Sequence, residues 1–366
     1  MILQNVFKDK TVIITGHTGF KGSWLLTWLS SLGANVIGIS TGPTSLPNHY
    51  DSANMFSLGS SFLVDIIDTN TIKNIFIKHQ PDFVFHLAAQ ALVRKSYANP
   101  IDTWNTNLFG TINILDALRL VKKKCAAVII TSDKCYDNVE WTWGYRENDK
   151  LGGPDPYSAS KGAAEIAFNS YVKSFFPYNS NVKIATARAG NVIGGGDWSE
   201  DRIVPDCIRA WSTDSIVELR NPNATRPWQH VLEPLSGYIT LASHLYYEDK
   251  FHGESFNFGP TSQQNKSVME LVKSMSNYWD KVRFNDNSAN YFGPYESGLL
   301  KLNCDKALHL LNWHSILSFD ETVEFTTEWY KMYYNKNTNI FEYTLEQINK
   351  YNLIAQKSNL KWSSQG

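Results

Sequence analysis

The 366-residue sequence has no strong excess of charge of either sign, few cysteines and no long apolar run. Lysine plus arginine (34) nearly equal aspartate plus glutamate (35), so no overall field favours nucleic acid or a membrane surface as a partner. No apolar run reaches the roughly 18 residues that a membrane helix needs, and we see no apolar segment of a signal peptide. We therefore expect a small-molecule partner, with neither nucleic acid nor a membrane.

The four cysteines show neither a pairing pattern nor the spacing of a zinc site. They are Cys125, Cys135, Cys207 and Cys304. Unpaired cysteines are typical of a reducing compartment. We therefore expect a cytoplasmic protein without a metal site, long enough to form one large or two modest domains.

The first forty residues have the pattern of a dinucleotide-binding unit. Thr11–Thr15 and Asn35–Ser40 predict buried strands, and residues 23–32 predict the helix between them. Three glycines precede this helix with spacing i, i+3 and i+6: Gly16, Gly19 and Gly22. Such glycines let backbone N–H groups and the helix N-terminus approach a pyrophosphate. The βαβ unit predicts an α/β, Rossmann-type, doubly wound parallel sheet.

The second strand lacks the acidic residue that usually holds the adenosine ribose of NAD. It ends at Ser40 and Thr41, and no arginine stands there to accept the 2′-phosphate of NADP. Because these hydroxyls can serve the ribose, we expect NAD as the cofactor.

A candidate catalytic stretch follows the apolar run at residues 126–131. Ser132, Asp133 and Lys134 come directly after this predicted strand, at the sheet edge where doubly wound folds bind ligands. Tyr157 and Lys161 lie four residues apart at the start of a helix predicted at 158–176 and share one helical face, so the ammonium can favour the phenolate. A lone Tyr-x-x-x-Lys is usually without function, but its position after this strand favours a catalytic site. Asp133 and Lys134 have a second interpretation as an inert ion pair.

Other predicted strand ends offer further cofactor contacts. Asp65 either meets an adenine or caps a turn, and His86 is better explained as a hydrogen-bonded core histidine than as a catalyst. Asn107 lies in an amphipathic helix predicted at 103–121, where it either bonds a bulged backbone or faces solvent. The strand predicted at 83–87 runs into small residues that let a flat cofactor pass.

Val182–Arg188 is the last clear strand of the predicted sheet. After it the sequence is loop-like, and the predicted helices and strands are scattered. We expect a nucleotide-binding domain at residues 1–189, with return segments near 228–258, and a smaller C-terminal substrate-binding lobe at 190–227 and 259–366. Guanidinium groups suit diphosphate oxygens. Four arginines fall close together in the substrate lobe: Arg202, Arg209, Arg220 and Arg226.

Several motifs resemble the extended short-chain dehydrogenase/reductase family, and within it the nucleotide-sugar 4,6-dehydratases. They are GHTGFKGSWL at 16–25, TSDKCYDN at 131–138, WGYRE at 143–147, LGG at 151–153 and YSASK at 157–161. The resemblance extends over nearly the whole chain, up to the segment at 302–313.

The resemblance implies a role for each matching residue. Tyr157 is the catalytic base and Lys161 its cofactor-binding partner, while Ser132 bonds the 4-hydroxyl of the sugar and Asp133 is the acid. The expected NAD contacts are Gly16, Thr18, Gly19, Phe20, Lys21, Gly22, Asp65, Ile66, Leu87, Ala88, Ala89, Asn107, Tyr157 and Lys161. The expected substrate contacts are Ser132, Asn191, Arg202 and Arg226.

The residue at position 134 departs from most of the family. Dehydratases of dTDP-glucose or GDP-mannose generally carry Glu there, as the base for the proton on carbon 5. The subgroup acting on CDP-glucose resembles this sequence in having Lys, so Lys134 indicates CDP-glucose as the substrate.

The implied reaction is an internal redox dehydration used in deoxysugar biosynthesis for lipopolysaccharide O-antigen. Alternatives are a C4 epimerase, a dehydratase of another nucleotide-hexose, and a catalytically silent NAD-binding sensor. The helices predicted at 103–121 and 158–176 either pair across a two-fold axis, giving a homodimer or a dimer of dimers, or pack within the chain.

Overall fold

A seven-stranded parallel sheet forms the centre of the molecule. The computed structural model describes residues 3–261, 264–290 and 298–363. The strand order is β11-β6-β5-β4-β1-β2-β3, with every neighbouring pair parallel. The order reverses between β1 and β4, which is the point where doubly wound sheets bind ligands. The predicted fold class is confirmed.

The strands are short, and several have the predicted bounds. The described strands are β1 Thr11–Thr15, β2 Asn35–Ser40, β3 Gly59–Leu63, β4 Phe83–His86, β5 Cys125–Ile130, β6 Val182–Arg188, β7 Val192–Ile193, β8 Val217–Leu219, β9 Thr225–Pro227, β10 Gln229–His230, β11 Ser255–Asn257, β12 Asn265–Ser267 and β13 Phe284–Asp286. β1, β2 and β6 match the prediction, whereas β3 begins and ends earlier than the strand predicted at 62–65.

Helices cover both faces of the sheet and build the second lobe. The described α-helices are α1 Leu3–Phe7, α2 Phe20–Ser31, α3 His49–Ser52, α4 Thr69–His79, α5 Val93–Ala98, α6 Pro100–Trp104, α7 Gly110–Leu118, α8 Pro156–Phe175, α9 Ile203–Ser212, α10 Leu232–Tyr247, α11 Val268–Met275, α12 Asp305–Leu311, α13 Phe319–Tyr334 and α14 Ile340–Lys357. In the described ranges, none of these helices combines the length and apolarity needed to span a bilayer.

Two apolar cores lie on opposite faces of the sheet. Along β1, Val12 and Ile14 belong to the larger core, whereas Ile13 belongs to the smaller one. Successive side chains of a strand point to opposite faces, so a strand buried on both sides needs a continuous apolar run. The larger core extends from the sheet through α10, which packs on β5 and β6, to α12.

The second lobe is interleaved with the first one along the chain. Along the chain, β11 joins the edge of the central sheet after both strands of the β10–β7 ribbon and between the two strands of the β9–β12 ribbon. The final helix, α14, was not predicted from the sequence, and it packs against α2. The domain bounds that we predicted stay a prediction.

The helix predicted at 103–121 contains a π-helical segment, Asn105–Phe109, between α6 and α7. Asn107 is 1 % exposed, and its Nδ2 donates to the Gln90 carbonyl oxygen at 3.0 Å and to Ser160 Oγ at 2.9 Å. Its Oδ1 accepts from the Gln90 backbone N–H at 2.9 Å. Such wide turns often occur at functional sites. Here the turn holds the segment after β4 against α8.

A buried ion pair joins α8 to the sheet. Glu165 on α8 accepts two hydrogen bonds from the Arg188 guanidinium on β6, at 2.9 and 2.8 Å. The same carboxylate accepts from the hydroxyls of Thr131 and Thr186. Glu165 and Arg188 are 0 % and 1 % exposed, so each charge depends on the other for compensation.

We predict that Glu165→Ala lowers the free energy of unfolding by about 3–5 kcal/mol, because it leaves the buried Arg188 guanidinium without its counter-charge. Urea denaturation measures the effect. Asn169→Ala, one turn further along α8 at an exposed position, is the matched control and should change stability by less than about 0.5 kcal/mol. Equal losses in the two variants would contradict this prediction.

Candidate active site

The turn from β1 into α2 has room only for glycine at two positions. A Cβ at Gly22 would lie 2.0 Å from the Gly16 carbonyl oxygen, and a Cβ at Gly16 would lie 2.9 Å from Ala88 Cα. Gly16 also has a φ of +75°, which favours glycine. This tight turn aims the N-terminus of α2 at the sheet edge, and the arrangement fits a dinucleotide pyrophosphate.

The end of β2 carries hydroxyls in place of an acid. Thr18 Oγ1 donates to Ser40 Oγ at 3.0 Å, and Ser40 Oγ accepts from the Gly42 N–H at 3.1 Å. The ring of His17 covers β2, because a Cβ at Gly38 would lie 2.3 Å from it. We did not predict this contact. The signal for it in the sequence was the bulky His17 in the glycine loop together with a glycine, Gly38, in the next strand.

Asp65 and Ile66 both have structural partners. Asp65 Oδ1 accepts from the Ile67 N–H at 3.1 Å, so the carboxylate does stabilise a turn. Ile66 is 3 % exposed, and its side chain packs against Gly110, where a Cβ would lie 2.4 Å from Ile66 Cδ1. Their contact with an adenine stays a prediction.

His86 is a hydrogen-bonded core residue, as expected. Its Nδ1 lies 2.7 Å from Thr15 Oγ1 and its Nε2 lies 3.0 Å from Thr111 Oγ1. Burial lowers the pKa of His86 to about 3. The three residues that follow β4, at positions 87–89, are half-buried beside the glycine loop.

A short 3₁₀ turn, Asp133–Cys135, brings the predicted acid and amine to the carboxyl end of β5. Ser132 caps this turn, because its Oγ accepts from the Lys134 N–H at 3.2 Å. The same hydroxyl donates to Asp133 Oδ1 at 2.9 Å. Asp133 is 4 % exposed, so its carboxyl group is buried.

The loop after β6 closes directly over Asp133. A Cβ at Gly190 would lie only 1.8 Å from Asp133 Oδ2. The next residue, Asn191, has a φ of +54°, and its Nδ2 lies 3.4 Å from the same oxygen. Glycine at position 190 is therefore required if the carboxyl group is to keep this place.

Tyr157 lies in the first turn of α8, where Asp155 caps the helix by accepting from the Ser158 N–H at 2.9 Å. Burial raises the pKa of Tyr157 to about 12, while a hydrogen bond with Ser132 lowers it and the carboxylate of Asp133 raises it. The cation that lowers this pKa is Arg202. The predicted assistance from Lys161 stays a prediction.

Lys161 is 5 % exposed on the same helix face as Tyr157. Burial lowers the pKa of Lys161 to about 8, against the opposing influence of Cys135 and Glu165. The folded protein thus holds a desolvated ammonium at the sheet edge at neutral pH.

Asp133 and Lys134 do not form the ion pair that we considered. Within the described residues, no ion pair or side-chain hydrogen bond engages the Lys134 ammonium, and the side chain is half-buried. Asp133 instead contacts Ser132 and Asn191. The Asp133 carboxyl group and the Lys134 ammonium group therefore both keep hydrogen-bonding capacity for a ligand.

Two further cations lie near Asp133. Arg202 Nη1 pairs with Asp197 Oδ2 at 3.0 Å. Burial lowers the pKa of Lys21 to about 8, and the charges of Arg202 and Asp133 act on it in opposite directions. Since Asp197 is taken by Arg202, this corner of the site carries positive charge that suits an anionic ligand.

The four arginines of the substrate lobe do not converge on one point. Arg209 pairs with Asp206 and Arg220 with Asp201. Arg226 donates to the carbonyl oxygens of Thr225 and Gly298. Of the four, Arg202 is the one that the structure brings to Tyr157.

Known proteins match this chain in sequence and in fold. The family described as GDP-mannose 4,6 dehydratase matches residues 13–326. CDP-glucose 4,6-dehydratase of Salmonella typhimurium is 45% identical over 336 residues, which cover 90% of this chain and 93% of the relative.

Solved structures share the fold at low identity. The epimerase Mth375 of Methanothermobacter thermautotrophicus has a TM-score of 0.76 at 23% identity, covering 91% of this chain and 95% of its own. UDP-glucose 4-epimerase of Brucella ovis, solved in complex with NAD, has a TM-score of 0.74 at 20% identity, covering 88% of this chain and 98% of its own.

We predict that Lys161→Met raises the free energy of unfolding of the ligand-free protein at pH 7 by about 1–3 kcal/mol. The pKa of Lys161 is 10.5 when exposed and about 8 when buried, so between these values the unfolded chain binds more protons and wild-type stability rises with pH. The advantage of the variant should therefore shrink above pH 8. Denaturation at several pH values measures this difference.

The control for this prediction is Lys173→Met, at an exposed position of the same helix. Its effect on stability should be small and should not change with pH. A pH-independent difference between Lys161→Met and the wild type would contradict the prediction.

Proposed function

The chain belongs to the GDP-mannose 4,6 dehydratase family of the extended short-chain dehydrogenases/reductases, and on that premise we propose that it is an NAD-dependent CDP-glucose 4,6-dehydratase. It converts CDP-D-glucose to CDP-4-dehydro-6-deoxy-D-glucose with loss of water, as a hydro-lyase. The observation that carries this function is the 45% identity to CDP-glucose 4,6-dehydratase, spread over 90% of the chain.

The glycine turn and the small residues after β4 provide the surface for NAD. The N-terminus of α2, where Gly16 and Gly22 leave the backbone open, would hold the pyrophosphate. The chemistry supplied by bound NAD is removal of a hydride from carbon 4 of the hexose and its later return to carbon 6. The chain's own residues therefore have to orient the hexose and move its protons.

Tyr157 and Ser132 act at the 4-hydroxyl. A hydrogen bond with Ser132 lowers the pKa of Tyr157, so the two hydroxyls lie close together and a sugar hydroxyl that reaches both meets an acceptor and a donor. Tyr157 takes the proton of the 4-hydroxyl during oxidation. The pKa of Tyr157, about 12 in the free protein, has to fall in the complex, and the ammonium of Lys161 on the same helix face is the group that lowers it.

Asp133 and Lys134 carry out the elimination. Oxidation at carbon 4 acidifies the proton on carbon 5, which Lys134 removes in its uncharged form. Asp133, in its protonated form, gives its proton to the departing 6-hydroxyl, so that one water leaves across the carbon 5–carbon 6 bond. Support for these roles comes from the absence of a mutual ion pair. The proton that Lys134 has taken would then be available to return to carbon 5.

The substrate lobe binds the rest of the nucleotide sugar. Arg202 and Arg226 hold diphosphate oxygens and Asn191 contacts the sugar. The positive corner formed by Arg202 and Lys21 supports a diphosphate there. The enzyme acts in the cytoplasm, in deoxysugar biosynthesis for lipopolysaccharide O-antigen. Support for this compartment is that all four cysteines are free thiols.

We predict that the wild type converts CDP-glucose faster than dTDP-glucose or GDP-mannose, with loss of water detected by mass spectrometry. Lys134→Ala should still bind NAD and abstract hydride, seen as a rise in NADH absorbance, because Tyr157 and Lys161 are intact. Dehydration should fall by about 10²-fold or more, since the variant lacks the base.

The control for this experiment is Lys150→Ala in the same loop region, whose exposed ammonium pairs with Asp137. It should leave dehydration unchanged. An unchanged dehydration rate in Lys134→Ala would remove Lys134 from the mechanism, and inversion at carbon 4 without water loss would identify an epimerase.

The enzyme assembles as a homodimer or a dimer of dimers through the helices on one face of the sheet. The supporting observation is an apolar exposed surface on α6, the π-helical segment and α8. Ile101, Phe109 and Ile166 are 69%, 54% and 62% exposed. Half-buried Ala159, Ala163 and Ala167 on α8 allow a second helix to approach closely.

We predict that Ile166→Lys converts the dimer to a monomer, because it places a charge in the apolar centre of this surface. Size-exclusion chromatography with light scattering measures the mass. Leu353→Lys replaces an equally exposed leucine on α14, 53% exposed, and should leave the oligomer intact. A dimer in both variants would contradict the proposed interface.

A further inference from the structure

A narrow cleft extends from Asp133 into the substrate lobe. Gly190 and Gln229 line it beside the carboxyl group, and Asn265 and Lys301 line it farther into the lobe. None of the last three residues was singled out from the sequence. A glutamine in a two-residue strand and an asparagine in a three-residue strand give no local signal of a site.

Gln229 is 1 % exposed, and half of its amide group is anchored. Its Nε2 donates to the Gly190 carbonyl oxygen at 2.9 Å and to the Phe258 carbonyl oxygen at 3.2 Å. Its Oε1 has no hydrogen-bond partner among the described residues. A buried acceptor without a donor is costly, so such a group in a cleft points to a ligand.

Asn265 repeats this arrangement on the neighbouring ribbon. Its Nδ2 donates to Thr225 Oγ1 at 3.2 Å, while its Oδ1 has no partner in the described part of the chain. β12 pairs with β9 so that Asn265 lies opposite Pro227, two residues before Gln229. Two unused acceptors therefore border one cleft, and acceptors select ligands that carry O–H or N–H groups.

Lys301 adds a cation to the cleft. The Tyr145 N–H donates to the Lys301 carbonyl oxygen at 2.9 Å, which fixes the backbone at this point. Within the described ranges no ion pair engages its ammonium. A cation beside two acceptors is complementary to a sugar that carries a phosphate.

We propose that this cleft selects the hexose of the nucleotide sugar: Gln229 Oε1 and Asn265 Oδ1 accept hydrogen bonds from its hydroxyls, and Lys301 binds an oxygen of the phosphate on carbon 1. The inference rests on the proposed function, which places the 6-hydroxyl at Asp133. Gly190 contacts both Asp133 and the Gln229 amide. One hexose ring can therefore span the distance between the 6-hydroxyl at Asp133 and Gln229.

Calorimetric titration of the NAD-loaded enzyme with CDP-glucose and with CDP tests the proposal, because CDP lacks the hexose. Asn265→Ala and Gln229→Leu should each weaken CDP-glucose binding by about tenfold or more and change CDP binding by less than about twofold. Asn265→Ala, at a less buried position, remains informative if Gln229→Leu fails to fold. Lys301→Met should weaken both ligands.

The matched control is Lys266→Ala, the next residue of β12, whose ammonium pairs with Glu270 at 3.2 Å. It should bind both ligands like the wild type. Equal weakening of CDP and CDP-glucose in Asn265→Ala would place the amide at the nucleotide base and overturn the proposal. Unchanged binding of both ligands would also overturn it. A wild type that binds neither ligand would instead defeat the proposed function.

Discussion

The geometry of the candidate site depends on the buried pair between Glu165 and Arg188. Glu165 stands on α8, two turns after Tyr157 and one after Lys161, and its carboxylate also accepts from Thr131 at the end of β5. One carboxylate therefore fixes the helix that carries Tyr157, the proposed base, relative to the strand end that Ser132, Asp133 and Lys134 follow. Arg188 extends this constraint, because it donates to the Tyr136 hydroxyl and to the Glu147 carbonyl oxygen. A buried ion pair adds little to the free energy of unfolding, but removing one of its charges lowers that free energy strongly. Its main effect is therefore to fix the position of α8 relative to the sheet.

The site is electrostatically unfavourable without its ligands. Burial lowers the pKa of both Lys21 and Lys161 to about 8, so at neutral pH the folded chain holds two desolvated ammonium groups near the sheet edge. The nearby carboxylate of Asp197 is already paired with Arg202, and the Arg202 cation itself lowers the pKa of Lys21 further. Two ligands, the dinucleotide and the nucleotide sugar, would each bring a diphosphate group and so supply the missing negative charge. Binding energy and folding stability are thereby linked, and the ligand-free protein carries a cost that the complex removes.

The sequence predicted the elements whose pattern is local and missed those that depend on distant contacts. β1 and β2 have mostly apolar runs, because both of their faces are buried, and β6 mixes small and apolar residues with the buried polar side chains of Lys183, Thr186 and Arg188. All three strands have the predicted bounds. The Tyr157–Lys161 spacing and the glycine turn are equally local, so they were visible. The π-helical segment was not predicted, because it depends on hydrogen bonds that join Asn107 to Gln90, in the segment after β4, and to Ser160, on α8. The arginines looked like one group because they are close in the chain, whereas in the structure the nearby carboxylates Asp201 and Asp206 pair with Arg209 and Arg220 and keep these two guanidinium groups engaged.

The loop after β6 links the two lobes at the point where the chemistry is proposed. Gly190 leaves room for the Asp133 carboxyl group, and the position of its backbone is set by the Nε2 of Gln229, which also holds the Phe258 carbonyl oxygen next to the sheet edge. A sugar hydroxyl bound to Oε1 of the same amide would act on the group that positions the acid. The Gln229 side chain would then both bind the hexose and help to position Asp133. A sugar that does not reach Gln229 would therefore meet a less well-ordered Asp133 carboxyl group. Discrimination between hexoses would accordingly appear in the rate of water loss as well as in affinity, because the amide contributes to both.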